Sequence, residues 1–184
     1  MINSKKLEKL KNQGNVVFKS RFLKSLTLTE RYELLQLCHR RTYQEKEYIY
    51  HQEDPGSGMY FIEDGRVELI VDPEDEDEDS AYRYELEAPE SFGALSLRYE
   101  VRRLSSVRCV TDTTLLGFFQ PDYNTLKDRH PKIALKVIET ISLIAMKQLQ
   151  RTTRALIDAT SLSEALSVQF RTYYREELGD SLTS

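Results

Sequence analysis

The chain has 184 residues, 40% of them hydrophobic and 30% charged, with a net charge of −4. That length allows one well-buried core with appended helices, and the acidic balance excludes a sequence-independent DNA binder, which needs a concentrated positive field. No apolar run approaches the ~18 residues of a membrane span and the start, Met-Ile-Asn-Ser-Lys-Lys, lacks a secretory apolar stretch, so a cytoplasmic protein without membrane contact is expected.

In chain order, lysine-rich residues 4–13, with Leu7 and Leu10, predict a short helix ending near Gly14. Thr29, followed by Glu30 and Glu33, reads as the start of a second helix whose apolar side carries Leu34, Leu35, Leu37 and Cys38. From Thr42 to Phe119 the pattern turns to strands. Runs at Tyr48–Tyr50, Met59–Ile62, Val67–Val71, Tyr82–Leu86, Val107–Val110 and Thr113–Phe119 are rich in β-branched and aromatic residues. Asp64-Gly65 is a tight-hairpin signal between two of them, and Gly56-Ser57-Gly58 reads as a turn. Many short strands at this spacing indicate a β-roll or jelly-roll barrel.

The carboxylates of residues 74–79, after Asp72-Pro73, predict a solvated hairpin tip in the acidic loop 72–79. Asp75, Asp77 and Asp79 have alternating oxygens, but Ser80 and Leu86 stand where a calcium loop needs glycine and a bidentate glutamate. From Pro131 a helix runs to about Ala159 without internal proline or glycine. Ile133, Val137, Ile141 and Ile144 form one stripe; Leu135, Ile138, Ser142, Ala145, Leu149, Thr152 and Leu156 form another. One stripe suffices to pack on a barrel, so the second predicts a homodimer along residues 131–160. Ser161-x-x-Glu164 is a capping box, opening a final amphipathic helix with Leu162, Leu166, Phe170 and Tyr173. The organisation expected is thus an N-terminal helical segment (1–40), a β-roll (41–130), a long helix (131–160) and a C-terminal helix and tail (161–184). In class this is α+β, mainly β.

Residues 92–109 carry the chemistry. Phe92-Gly93-Ala94-Leu95-Ser96-Leu97 is followed after five residues by Arg103-Leu104-Ser105-Ser106-Val107-Arg108-Cys109. A Phe-Gly step opening a one-turn helix leaves backbone N–H groups for an anion. An arginine about ten residues on can return to the same place with the planar fork best suited to phosphate. Around it stand Phe22-Leu23-x-x-Leu26, Gln52-Glu53-Asp54-Pro55-Gly56, Gly58-Met59-Tyr60-Phe61-Ile62-x-x-Gly65-x-Val67-Glu68-Leu69, Asp112-Thr113-x-Leu115-Leu116 and His130-Pro131.

Over roughly residues 20–158 this series resembles the cyclic nucleotide-binding domain family, whose members include catabolite activators, kinase regulatory subunits and gated channels. The resemblance implies that a cyclic phosphate, as in cAMP or cGMP, sits on the amides of Gly93, Ala94 and Leu95 and pairs with Arg103. Ser105 or Ser106 would donate to the phosphate or a purine edge, and Thr152 and Thr153 on the long helix would meet the base. Ligand binding would reposition the helix and change what a protein partner can touch. Ala94 departs from the pattern: the family has glutamate there, accepting from the ribose 2′-hydroxyl. Losing such a bond costs about 1.5–3 kcal/mol. The family's transcription factors continue into a helix-turn-helix, for which the 24 residues after Thr160 are too few, so no DNA binding is expected of this chain.

Catalysis is not expected. His39, His51 and His130 form no metal-ligating pattern, no nucleophile motif is present, and no catalytic residue, metal or cofactor is predicted. His51 reads as filling a strand position beside Gln52. Cys38 and Cys109 lie in separate apolar stretches, as reduced core cysteines do. Two functions stay open: a regulatory sensor for a cyclic nucleotide, favoured by Arg103, and a ligand-independent dimeric scaffold, favoured by Ala94.

Overall fold

Two four-stranded antiparallel sheets form the centre of the chain, as seen in a computed structural model that describes residues 14–71, 82–99 and 101–174. Helix α1 (residues 14–19), a 3₁₀ turn Phe22–Ser25 and α2 (Leu28–Gln36) come first. The strands are β1 (His39–Tyr43), β2 (Tyr48–Tyr50), β3 (Gly58–Asp64), β4 (Arg66–Val71), β5 (Tyr82–Glu87), β6 (Ser91–Phe92), β7 (Ser106–Cys109) and β8 (Thr113–Phe119). Helices α3 (Gln120–Arg129), α4 (Pro131–Ala159) and α5 (Leu162–Tyr174) complete the order. One sheet runs β1-β8-β3-β6 and the other β2-β7-β4-β5.

The alternation of side chains explains the packing. Tyr60 and Ile62 of β3 and Leu115 of β8 join Val67 of β4, Phe92 of β6, and Val107 and Cys109 of β7 in one core drawn from both sheets. The other face of β3 carries Met59, Phe61 and Glu63, all buried. There Phe61 meets the ring of Phe22 edge-on at 5.7 Å. A strand buried on both faces reads as a continuous apolar run, which is how Met59 to Ile62 reads. Asp64-Gly65 turns β3 into β4 as expected. The acidic run lies outside the described residues; the strands it joins pair antiparallel, with Val71 opposite Tyr82.

Three expectations are corrected. The second helix is capped by Thr27, not Thr29: its hydroxyl accepts from the Glu30 amide, while the Glu30 carboxylate accepts from the Thr27 amide at 2.7 Å. Thr27-x-x-Glu30 is the reciprocal pair that makes a capping box. Strand pairing begins at His39 rather than Thr42, because β1 is an edge strand whose mostly exposed residues show no alternation. Residues beyond Gly14 are helical to position 19; the helix expected over 4–13 lies outside the described residues.

The chain divides into two units, one ending at Ile141 and the other beginning at Ser142. The division falls inside α4. In the first unit Ile133, Ala134, Val137 and Ile141 are buried, and Lys136 donates to the Glu30 carboxylate at 2.7 Å, tying α4 to α2. In the second, Leu143, Met146 and Leu149 of α4 are at least half exposed. The capping serine of α5 is in place: Ser161 Oγ accepts from the Glu164 amide.

Candidate functional site

The Phe92–Cys109 segment is shaped by one left-handed residue. Gly93 follows β6 with φ +76°, and residues Ala94–Ser96 then make a single 3₁₀ turn. A Cβ at Gly93 would lie 2.5 Å from Arg103 Nη1, so the glycine is needed both for its backbone and for the closeness of the arginine. Among the described residues, no hydrogen bond uses the amides of Gly93, Ala94 or Leu95 as donors. Their donors and the Arg103 guanidinium are thus held at one turn.

Arg103 is 5% exposed and is the only buried cation among the described residues. Its Nη2 donates to Gly58 O at 2.8 Å and its Nη1 to Gly93 O at 3.3 Å. None of the ion pairs among the described residues includes it. A guanidinium has five N–H donors, and these two carbonyls leave most of the fork unused. An uncompensated buried charge is costly, by several kcal/mol in general, so the arrangement favours an anion that enters and pairs with it. The guanidinium carbon also lies 4.2 Å from the centre of the Tyr50 ring, a cation–π distance.

The arginine's backbone is clamped by the turn after β2. Glu53 N–H donates to Arg103 O at 2.9 Å, and Arg103 N–H donates to Asp54 O at 3.0 Å. Asp54 closes the turn by accepting from the His51 amide at 2.7 Å, and Arg102 Nη1 donates to Glu53 O at 2.7 Å. Glu53 itself is left-handed, φ +66°, a conformation that costs a non-glycine residue about 1–2 kcal/mol. Gly56 fits beneath this turn because its missing Cβ would stand 2.4 Å from the Ser96 side chain. His51 lies just beyond β2, not within a strand, with its ring stacked on Tyr48 at 4.5 Å.

The other expected site residues divide. Leu95 and Ser105 are half-buried beside these elements in sequence. Ser106 is buried at the start of β7, where its hydroxyl accepts from the Gln52 amide at 2.9 Å, bracing the same turn. Thr152 and Thr153 lie in the second unit. Thr152 donates to Gln148 O of its own helix, and Thr153 accepts from Gln169 Nε2 at 2.7 Å, joining α4 to α5. The sequence did not mark Tyr50 or Gly58 as site residues. Both flank the Gln52–Gly56 stretch, whose turn residues are the signal that could have drawn them in.

Other polar groups suit an anion poorly. A cleft lined by Thr42, Gln44, Glu47, Asp64, Asp112 and Thr114 presents three carboxylates. Among the described residues no three histidine, cysteine, aspartate or glutamate side chains are grouped to hold a metal ion. Cys38 and Cys109 are free thiols, both pushed up by burial, hence unreactive.

Residues 40–130 match the family model for the cyclic nucleotide-binding domain. The cyclic AMP receptor protein of Thermus thermophilus is 34% identical over 100 residues, covering 54% of this chain and 45% of that protein. Lysophospholipase NTE1 of Chaetomium globosum is 30% identical over 61% of this chain but only 7% of its own length. The crystal structure of the Thermus thermophilus catabolite activator protein superposes with a TM-score of 0.65 at 27% identity, covering 73% of this chain and 61% of that one. The chain therefore spans less than half the length of these sequence relatives.

Proposed function

From the premise that residues 40–130 are a cyclic nucleotide-binding domain, we propose that the chain is a regulatory sensor taking a cAMP- or cGMP-like ligand on Arg103 and the Gly93–Leu95 turn. The observation that carries this reading is the buried Arg103 guanidinium, which has no carboxylate partner among the described residues. The ligand's phosphate supplies the missing negative charge, and the unused amides of Gly93, Ala94 and Leu95 complete its shell. Binding transmits its effect through α4 by favouring one position of the helix over another, which requires a difference in affinity between the two. The output is a change in contact with a protein partner, as for a regulatory module rather than an enzyme. In this reading the exposed Leu143, Met146 and Leu149 face is where two copies meet, and sedimentation at micromolar concentration then gives a dimer that Leu149→Glu dissociates.

The test is thermal melting of the chain with millimolar cAMP and cGMP. Ligand at a hundred times its dissociation constant adds about 2.7 kcal/mol, several degrees for a domain of this size. A shift that Arg103→Ala abolishes establishes the sensor. Ala94, which offers the ribose no acceptor, favours a second reading in which the fold is kept as a ligand-independent dimeric scaffold. No shift with either nucleotide, and a dimer unchanged by Arg103→Ala, selects that reading instead.

A further inference from the structure

Tyr50 belongs to β2, outside the Phe92–Cys109 segment, yet its ring lies 4.2 Å from the guanidinium carbon of Arg103. We propose that Tyr50 is the positioning residue for Arg103: its ring face holds the guanidinium, buried and free of carboxylate, in the pose that receives an anion. The proposal rests on the sensor reading for its ligand but not for its geometry.

The physical reason lies in what each kind of partner would occupy. A carboxylate would compensate Arg103 strongly, but through the same N–H donors that must grip a phosphate. An aromatic face attracts the cation through its quadrupole and uses no donor. With the carbonyls of Gly58 and Gly93 taking one bond each, the ring steadies the charge and leaves the rest of the fork available. The phenol cannot act as a competing anion: burial pushes Tyr50 up to about 12, although the Arg103 charge draws it the other way.

The ring is itself fixed. Its centre lies 6.2 Å from that of Tyr60 and 6.1 Å from that of Phe92, which stack on each other at 5.2 Å and 20°. Phe119 meets Tyr60 edge-on at 5.6 Å. Phe92 immediately precedes Gly93, so one aromatic cluster sets both the turn that offers the amides and the arginine that faces it. Nothing in this role needs the hydroxyl, which makes phenylalanine the conservative replacement.

The experiment compares wild type, Tyr50→Phe and Tyr50→Leu without ligand, observing the arginine Nε–Hε signals by NMR, with Arg103→Lys assigning the Arg103 signal by its loss. The expected result is a rigid, ring-shifted signal in wild type and Tyr50→Phe that becomes mobile and unshifted in Tyr50→Leu. Affinity for cAMP should then be unchanged in Tyr50→Phe and fall roughly tenfold or more in Tyr50→Leu. An Arg103 signal in Tyr50→Leu as rigid as in wild type overturns the proposal, whatever binds. If the signal depends on the ring but no form binds cAMP or cGMP, the positioning role stands and the nucleotide reading falls. Should Tyr50→Leu not fold, Tyr50→Met keeps apolar volume without a π face and gives the same two outcomes.

Discussion

Arg103 and Arg108 stand five residues apart on one stretch of chain, and they are compensated in opposite ways. Arg108, on β7, donates from Nε at 2.8 Å and lies with Nη2 at 2.7 Å from one oxygen of Glu68, whose other oxygen lies 3.6 Å from Arg83. The hydrogen bonds to Glu68 hold its guanidinium more firmly charged than usual. Arg103 is more deeply buried and has two carbonyls and a ring. A cation that already owns a carboxylate braces a sheet; one that is buried without it is set up for an anion from outside. Arg40 with Glu63 and Lys136 with Glu30 fall on the bracing side of this division.

The sharpest way to break the comparison is to exchange the two arginines for alanine separately. In the sensor reading Arg103→Ala would remove two or more charge-assisted contacts to phosphate, about 1.5–3 kcal/mol each, and should lower cyclic nucleotide affinity by roughly a hundredfold or more. Its melting temperature should change little, since an uncompensated buried charge is removed with it. Arg108→Ala should do the reverse, leaving affinity unchanged and lowering stability by about 1 kcal/mol as Glu68 loses its main partner. Calorimetric titration and melting of both variants read out the contrast, and equal losses of affinity would erase it.

Arg40→Ala is the next largest, and its effect is on stability alone. Glu63 is buried completely, with Oε2 held by Arg40 Nε at 2.6 Å and Oε1 without a partner among the described residues. Removing the arginine strands a buried carboxylate, at about 3 kcal/mol, or roughly 6–12 °C in a chain of this length. Adding Glu63→Gln should recover part of the loss. A drop below ~2 °C would mean that the pair is solvated and does not brace β3.

Gly93→Ala joins the two kinds of effect. The φ of +76° costs an L-residue about 1–2 kcal/mol, and the new methyl meets Arg103 Nη1 at 2.5 Å. Affinity should therefore fall beyond what the lost stability explains, while Gly65→Ala, at φ +90° in the β3–β4 hairpin, should destabilise without that excess.

How much of this was legible in the sequence follows from the range over which each signal acts. The Asp64-Gly65 hairpin, the start of α4 at Pro131 and the Gly93–Arg103 spacing are local, and the chain states them directly. The N-cap was equally local and still missed: Thr27-x-x-Glu30 has the capping-box spacing that Thr29 lacks, with Tyr32 three residues on. β1 was invisible in part because an exposed edge strand needs no alternation; its partner β8 supplies the order that His39, Arg40 and Arg41 lack. Tyr50 stands 53 positions from Arg103, and Thr153 meets Gln169 across a turn between helices. Those pairings belong to the fold and to no window of residues.

The smallest expected effect tests the bracing side at the pair that ties α2 to α4. Glu30 accepts two bonds from Lys136 Nζ, at 2.7 and 2.8 Å, and one from the Thr27 amide. Those hydrogen bonds, Lys136 first and then the Thr27 backbone, hold its carboxyl below the usual range. A depressed carboxylate stabilises the fold at pH above its unfolded value, and that contribution is lost as pH falls through the folded one. Glu30→Gln keeps the capping geometry, because glutamine serves at this position of a capping box, but discards the charge. The variant should be less stable by about 0.5 kcal/mol at pH 7, with the difference beginning to shrink near the unfolded glutamate value of about 4.3 and vanishing only below the lower folded one. Denaturant melts at pH 7 and at falling pH through the acid range follow the whole course. A gap that persists unchanged in acid would mean that the pair acts through packing of α2 on α4 rather than through charge, and Lys136 would leave the comparison with Arg103 altogether.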